Sequence, residues 1–336
     1  MQQASNHSRN FHIPASLWLV IGAALLAAEP LQWLARSWIA PAYDSNGEWL
    51  ALLVIALLLW SASSSRTGHS TPNHRGWYLL LATAGLRLIG QVLAINIVSA
   101  MALVIDVYAI GLILGLNHRR RSLSPFWLAA LFACALPLET LLQRVGGYGL
   151  QQLSASGACA VLNLFSSVIG DTLQCSGTQI SLAGKQLLID LPCSGARGLL
   201  MLVSAFCAIA AVQRPSLSHA VIGALITAVA AILGNMLRLA FIAMAWAKPE
   251  LLGGADVMAE PWHGYVGTAA LAISAVPLIM WARRLPITTS APYAAADKKR
   301  RPTKTLNARF TFLFPLCAIA ALLVPAQPLD DGRVGV

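Results

Sequence analysis

Long apolar runs recur along this sequence, and short segments that carry most of the arginine and lysine separate them. A helix needs about 20 apolar residues to cross a bilayer. Of the 336 residues, 57% are hydrophobic and only 11% are charged, whereas about a quarter of an average soluble domain is charged. We therefore predict an all-α polytopic membrane protein.

Nine runs are candidate membrane spans. The second is short and Glu29-Pro30 interrupts the first, so we expect eight or nine transmembrane helices. The candidates cover roughly residues 13–34, 48–62, 77–97, 99–116, 125–142, 196–212, 216–247, 265–281 and 310–325.

The basic residues favour a cytoplasmic N-terminus, because most of the 23 then fall on the cytoplasmic side, where lysine and arginine are enriched. This orientation divides the chain into five parts. They are N-terminal transmembrane helices in 1–142, an outer loop in 143–195, a second group of transmembrane helices in 196–282, a basic cytoplasmic linker in 283–309, and a C-terminal transmembrane helix with a short outer tail in 310–336. The net charge of +10 is scattered between apolar runs and forms no basic face interleaved with aromatics, so we expect no nucleic-acid partner.

The outer loop ends in TQISLAGKQLLIDL, a pattern that predicts two short strands about a turn at Ala183-Gly184-Lys185. It is either a small hairpin that holds the next segment at the membrane surface or an ordinary connection.

Three polar residues are expected at the outer surface of the membrane. Cys193 lies just before the span that begins near Ala196, and His263 lies in the outer loop before a later span. Arg238 is about 22 residues along the intervening span, or roughly 33 Å of helix rise, which brings it to the outer interface. A thiol, a guanidinium and an imidazole at one depth would supply a nucleophile, an anion stabiliser and a proton carrier.

Around these residues the sequence resembles the exosortase/archaeosortase family of membrane cysteine transpeptidases. PCSGAR (192–197) is similar to the family's CSGxR, GNMLR (234–238) to its NxxR, and HGYVG (263–267) to its outer-loop histidine. The resemblance covers about residues 150–282. It differs at Pro192, where the family often has alanine, and at Gly264, where it often has aspartate.

The resemblance implies a sortase-like cysteine peptidase or transpeptidase that forms a thioacyl intermediate. Cys193 would attack a peptide carbonyl, and His263 would protonate the leaving amine and then activate the acceptor. Arg238 would stabilise the oxyanion or orient the substrate backbone.

The resemblance gives three further residues supporting roles. Ser194 belongs to the cysteine motif, and Asn235, one turn before Arg238, would orient that arginine. Arg197 would hold a substrate carboxylate or a lipid headgroup, or anchor its helix. Gly264 replaces an aspartate that would orient the imidazole in the family. Glu260 or Asp256 would be the alternative carboxylates for that role.

The same resemblance implies the partners and the location. The substrates would be membrane-anchored secreted proteins whose C-terminal sorting tails carry a short motif, an apolar helix and a basic end. The acceptor would be lipid- or sugar-linked, with membrane lipid as a further partner, and the site would face the periplasm from the bacterial inner membrane. No cofactor or metal is expected, and the six cysteines lack zinc-site spacing.

Two other functions fit the sequence. One is a non-catalytic membrane scaffold for cell-surface polymer export. The other is a transporter, supported by Arg87, Asp106 and Glu139 within apolar runs, although Arg87 and Asp106 could instead form a structural ion pair.

The cysteines of the outer loop leave two alternatives. Cys159 and Cys175 would form a disulfide in an oxidising compartment and leave Cys193 free. Pairing of Cys175 with Cys193 would instead block the nucleophile.

Overall fold

The computed structural model describes residues 15–40, 47–67, 74–93, 95–165, 172–189 and 194–285. Cys193, the predicted span at 310–325 and most of the basic linker lie outside these residues. The described helices are α1 (Ala15–Ile39), α2 (Gly47–Ala62), α3 (His74–Val92), α4 (Asn96–Leu114), α5 (Pro125–Ala133), α6 (Leu138–Leu164), α7 (Ala196–Gln213), α8 (Leu217–Ala247) and α9 (Trp262–Arg284).

Four helices among the described residues are long and apolar enough to cross a membrane: α4, α7, α8 and α9. The pair α5 and α6, bent by 73° at its break, brings the number to at most five. Helix α2 is apolar but has only 16 residues, fewer than a full span needs. The eight or nine spans expected from the sequence are therefore not confirmed.

The chain divides into two compact units. In the first, α3 and α4 pack together around Leu80, Ala84 and Ala109. Arg87 and Asp106 form the ion pair that the sequence suggested. Both side chains are buried, and pairing compensates for the cost of placing each charge in an apolar environment.

In the second unit, glycines let α8 approach its neighbours closely. A Cβ atom on Gly234 would overlap Ser274 of α9, and one on Gly157 of α6 would overlap Met236 of α8. Small residues at these contacts allow the backbones to pack tightly, as is typical of membrane helices.

Helix α6 is where the structure differs most from the sequence prediction. The outer loop was expected to begin at residue 143, but the chain is helical as far as Leu164. Its buried positions are small residues spaced as on one helix face, including Ser154, Ala155 and Ala158. Ala155 and Ala158 pack in the same cluster as Ala240 and Ala243 of α8, so tertiary packing stabilises a helix whose composition alone favours a loop.

A three-stranded antiparallel sheet follows α6, formed by β1 (Leu173–Ser176), β2 (Gln179–Leu182) and β3 (Lys185–Leu188). Ala183 and Gly184 have positive φ angles of 52° and 76° in the turn between β2 and β3, as a tight hairpin turn requires.

Three contacts fix the sheet to the helices. Ile180 and Leu182 are buried in the cluster that α6 and α8 form. Lys185 Nζ donates to the Trp246 carbonyl oxygen at 2.8 Å, which fastens the sheet to the end of α8. Cys159 of α6 and Cys175 of β1 form a disulfide. The sheet that precedes Cys193 in sequence is therefore anchored to α6 and α8.

Candidate active site

Residues from all three motif segments line one cavity of about 510 Å³ in the second unit. Gly195 and Arg197 come from the start of α7, Asn235 and Arg238 from α8, and His263 from the first turn of α9. The structure thus brings together Arg197, Asn235, Arg238 and His263 at one cavity, whereas the predicted Ser194 does not line it.

Arg238 and His263 are in direct contact. Arg238 Nη2 lies 2.9 Å from His263 Nε2. Because a guanidinium has only donors, Nε2 must accept, and His263 is therefore the neutral tautomer with its proton on Nδ1. This contact therefore selects the neutral imidazole and not the charged one.

Two polar atoms of this pair have no hydrogen-bond partner within the part of the chain that the structure describes. They are His263 Nδ1 and Arg238 Nε, and both are buried. A buried polar atom without a partner costs about 1–3 kcal/mol. Both atoms belong to residues that line the cavity, so a bound group that satisfied them would gain affinity.

The turn after Cys193 is held by a buried polar chain. Ser154 Oγ donates to the Ser194 carbonyl oxygen at 3.1 Å and accepts from Asn235 Nδ2 at 3.0 Å. The backbone NH of Ala196 contacts Ser194 Oγ at 3.4 Å. Asn235, expected to orient Arg238, thus uses its amide nitrogen to contact α6.

Gly195 meets two demands in this turn. Its φ angle is +91°, a conformation that side chains with a Cβ rarely adopt. A Cβ atom there would also lie 2.8 Å from the Asn235 side chain. The glycine of the CSGxR-like segment thus lets the turn approach α8.

Arg197 pairs with an acid from α6. Its Nε lies 3.3 Å from both carboxylate oxygens of Glu139, and Gln143 Nε2 donates to one of these oxygens at 3.2 Å. The Arg197 side chain is 41% exposed. Glu139, which supported a transporter in the sequence analysis, is thus the ion-pair partner of Arg197 in the segment PCSGAR (192–197).

The two alternative carboxylates lie in different places. Asp256 Oδ1 accepts from the backbone NH of Met258 at 2.9 Å. Glu260 lines the cavity, and a Cβ atom on Gly264 would lie 3.1 Å from its Oε2. The carboxylate of Glu260 therefore occupies space beside position 264, although it does not contact His263 Nδ1.

Sequence reasoning missed Ser154 and the role of Glu139. Both lie in α6, outside the resemblance's three motifs. A signal for Ser154 was present, since Ser154, Ala155, Ala158, Cys159 and Leu162 follow the spacing of one helix face.

An apolar groove of about 550 Å³ adjoins the cavity. Its walls include Leu162 of α6, Phe241 of α8 and Tyr265 of α9. Gly234, Arg238 and Ala270 line both spaces, so the groove and the cavity meet at Arg238.

The comparisons with known proteins gave one match. The family described as transmembrane exosortase matches residues 38–280, which is most of the chain. No curated protein matches, and no solved structure matches.

Proposed function

This chain belongs to the transmembrane exosortase family, and from that premise we propose that it is a membrane-embedded cysteine transpeptidase. It cuts the C-terminal sorting tail of a secreted protein at the outer face of the inner membrane. The new C-terminus is then transferred to an acceptor.

The contact between Arg238 and His263 carries the proposal. It puts a permanent positive charge and a titratable ring at one cavity. The turn that directly follows Cys193 in sequence borders the same cavity. A free cysteine has a pKa of about 8.5, so attack requires a base or an electropositive environment, and these two residues supply both.

The tautomer of His263 sets the order of proton transfers. Its only lone pair, on Nε2, is occupied by Arg238. The proton of Cys193 Sγ can enter the ring only at Nε2, so Arg238 Nη2 first turns to the substrate carbonyl oxygen. The sulfur then attacks the carbonyl carbon, and Arg238 stabilises the resulting oxyanion.

Collapse of this tetrahedral species breaks the carbon–nitrogen bond. Nε2–H of His263 gives its proton to the leaving amine, and a thioacyl enzyme remains. The acceptor nucleophile then loses its proton to Nε2 and attacks the thioester carbon. Cys193 leaves as a thiolate and regains that proton, so the enzyme returns to its starting state.

Two features support the substrate and location. The apolar groove next to Arg238 offers an apolar surface to the helix of a sorting tail whose motif reaches the cavity. The disulfide between Cys159 and Cys175 is typical of oxidising compartments, which agrees with an outward-facing site.

The polar residues that favoured a transporter are paired. Arg87 contacts Asp106, and Glu139 contacts Arg197. These pairings remove the main support for transport. A non-catalytic scaffold remains the competing function, and it predicts that substitution of Cys193 leaves tail processing unchanged.

The test replaces Cys193, Arg238 and His263 separately by alanine and follows a tagged reporter protein that bears a C-terminal sorting tail. Each replacement should abolish or strongly slow processing. Cys207→Ala is the matched control, because this thiol is buried in α7 away from the cavity lining. Continued processing by Cys193→Ala protein would refute the enzymatic proposal.

A further inference from the structure

Ser154 of α6 is hydrogen-bonded both to Asn235 of α8 and to Ser194, the residue that directly follows Cys193. It lies in a stretch of α6 that none of the motifs includes. Its side chain is almost fully buried, with 3% of the residue exposed. Burial of a hydroxyl is costly unless its donor and acceptor are both used.

Both capacities of this hydroxyl are used. The single proton of Ser154 Oγ goes to the Ser194 carbonyl oxygen, and the oxygen accepts from Asn235 Nδ2. The hydroxyl therefore joins three segments, α6, α8 and the turn before α7. The carbonyl that it holds belongs to the residue directly after Cys193.

The backbone at this turn needs such support. Gly195 is in the left-handed region, which glycine adopts readily and residues with a Cβ atom rarely adopt. Ser194 is itself buried, with 2% exposed. Beyond it, the NH of Leu199 donates to the Gly195 carbonyl oxygen at 3.0 Å and begins the regular bonding of α7. The Ser154 bond thus holds the backbone at the end of this turn that directly follows Cys193 in sequence.

We propose that Ser154 is a positioning residue, which fixes the turn that directly follows Cys193 in sequence to the helix bearing Arg238. It acts through the Ser194 carbonyl and through Asn235, which lies one turn before Arg238 on α8. This inference rests on the proposed function for its catalytic consequence, but the fixing of the turn can be measured without catalysis.

The variants are chosen to isolate the hydroxyl. Ser154→Thr and Ser154→Val have nearly the same shape, but only threonine keeps a hydroxyl. Ser154→Ala removes the hydroxyl without added bulk. Ser156→Ala is the control, because Ser156 is exposed on the same helix and bonds only locally to the Leu153 carbonyl oxygen.

The first measurement is hydrogen exchange on full-length protein in lipid nanodiscs, in peptides spanning Ser194 to Leu199. We expect faster exchange in Ser154→Ala and Ser154→Val protein, and wild-type exchange in Ser154→Thr and Ser156→Ala protein. Equal exchange in the threonine and valine variants would overturn the proposal, as would wild-type exchange in the alanine variant.

The second measurement is the kinetics of tail processing. Misplacement of the nucleophile should lower kcat about tenfold and leave KM within about twofold, with recovery in the threonine variant. Unchanged kcat in Ser154→Ala protein would overturn the positioning role. Failure of the proposed function would appear separately, as continued processing by Cys193→Ala protein with the exchange pattern still intact.

Discussion

Arg238 Nη2 and His263 Nε2 lie 2.9 Å apart, and this contact joins α8 to the first turn of α9. Because the guanidinium donates, it fixes the imidazole in its neutral form with the proton on Nδ1. In the proposed mechanism, Arg238 thereby orients His263 and must release its Nε2 before the ring can accept a proton from Cys193.

His263→Gln separates orientation from proton transfer. The glutamine amide oxygen can still accept from Arg238, but the side chain cannot carry the proton. We expect kcat for tail processing to fall by about 10²–10⁴, the range typical of a lost general acid–base group, while the folded protein accumulates normally.

His219→Gln is the control for this prediction, since His219 is exposed at the other end of α8 and contacts Ser216. It should process tails at the wild-type rate. Wild-type kcat in His263→Gln protein would show that the ring does not transfer the proton.

Gly195→Ala should damage both the fold and the site. The new Cβ would lie 2.8 Å from Asn235, and the backbone would stay at a φ angle of +91°. We expect a loss of about 1–3 kcal/mol in the free energy of unfolding, with lower processing. Denaturant unfolding in detergent measures the first effect.

Gly198→Ala is the matched control three residues on. Nothing lies within 4 Å of a Cβ atom there, and alanine is favoured over glycine inside a helix by about 1 kcal/mol. We expect Gly198→Ala to be neutral or stabilising. Equal losses at both positions would contradict the geometry of the turn.

Much of the site was predictable from sequence. The cysteine, arginine and histidine motifs are local patterns, and the helical rise from Ser216 predicts that Arg238 lies far along its span. The predicted turn residues Ala183 and Gly184 occupy the turn between β2 and β3. These features depend on residues close together in the chain.

The features that the sequence did not predict depend on packing between segments that are distant in the chain. The contacts of Ser154 with Ser194 and Asn235 join residues 40 and 81 positions apart. The helix beyond residue 142 is stabilised where its small residues meet α8, and no local propensity encodes that contact. The break between α5 and α6 does have a local signal, since Pro137 immediately precedes α6 and proline interrupts a helix, but the predicted span over 125–142 ran through it.

The pair of Glu139 and Arg197 should contribute little to stability. Arg197 is 41% exposed on its side chain, so solvent weakens the attraction, and exposed pairs contribute about 0–1 kcal/mol. A double-mutant cycle with Glu139→Gln and Arg197→Gln, measured by denaturant unfolding, should give a coupling energy within that range.

Glu139→Asp serves as the conservative variant in that cycle. It keeps the charge but shortens the reach to Arg197, so its stability should lie between those of the wild type and the glutamine variant. A coupling energy well above about 1 kcal/mol would show that water is excluded from this pair more than its exposure indicates.

Gly234→Ala tests the close approach of α8 and α9. The added Cβ atom would overlap Ser274, so the helices must separate or the serine must move. Such overpacking typically costs about 1–3 kcal/mol, measured as loss of unfolding free energy. Ser274→Gly should partly restore stability in the Gly234→Ala background, and failure to restore it would place the strain elsewhere.

The disulfide between Cys159 and Cys175 should be visible in thiol labelling of intact cells. With a membrane-impermeant maleimide, we expect these two thiols to label only after reduction, and Cys193 to label without it. Cys134 and Cys207 are free thiols that are half-buried and buried, so they should stay unlabelled in the folded protein. Labelling of Cys159 before reduction would contradict the pairing.

Removal of this disulfide should destabilise the sheet that leads to Cys193. The bond closes a loop of 16 residues, for which the chain-entropy account gives about 3 kcal/mol. We expect the Cys159→Ser, Cys175→Ser double variant to lose a similar amount of unfolding free energy and to process tails more slowly. Because each single variant leaves an unpaired thiol, the double variant is the cleaner test. Wild-type stability in that variant would mean that noncovalent contacts, such as those of Ile180, Leu182 and Lys185, suffice to hold the sheet.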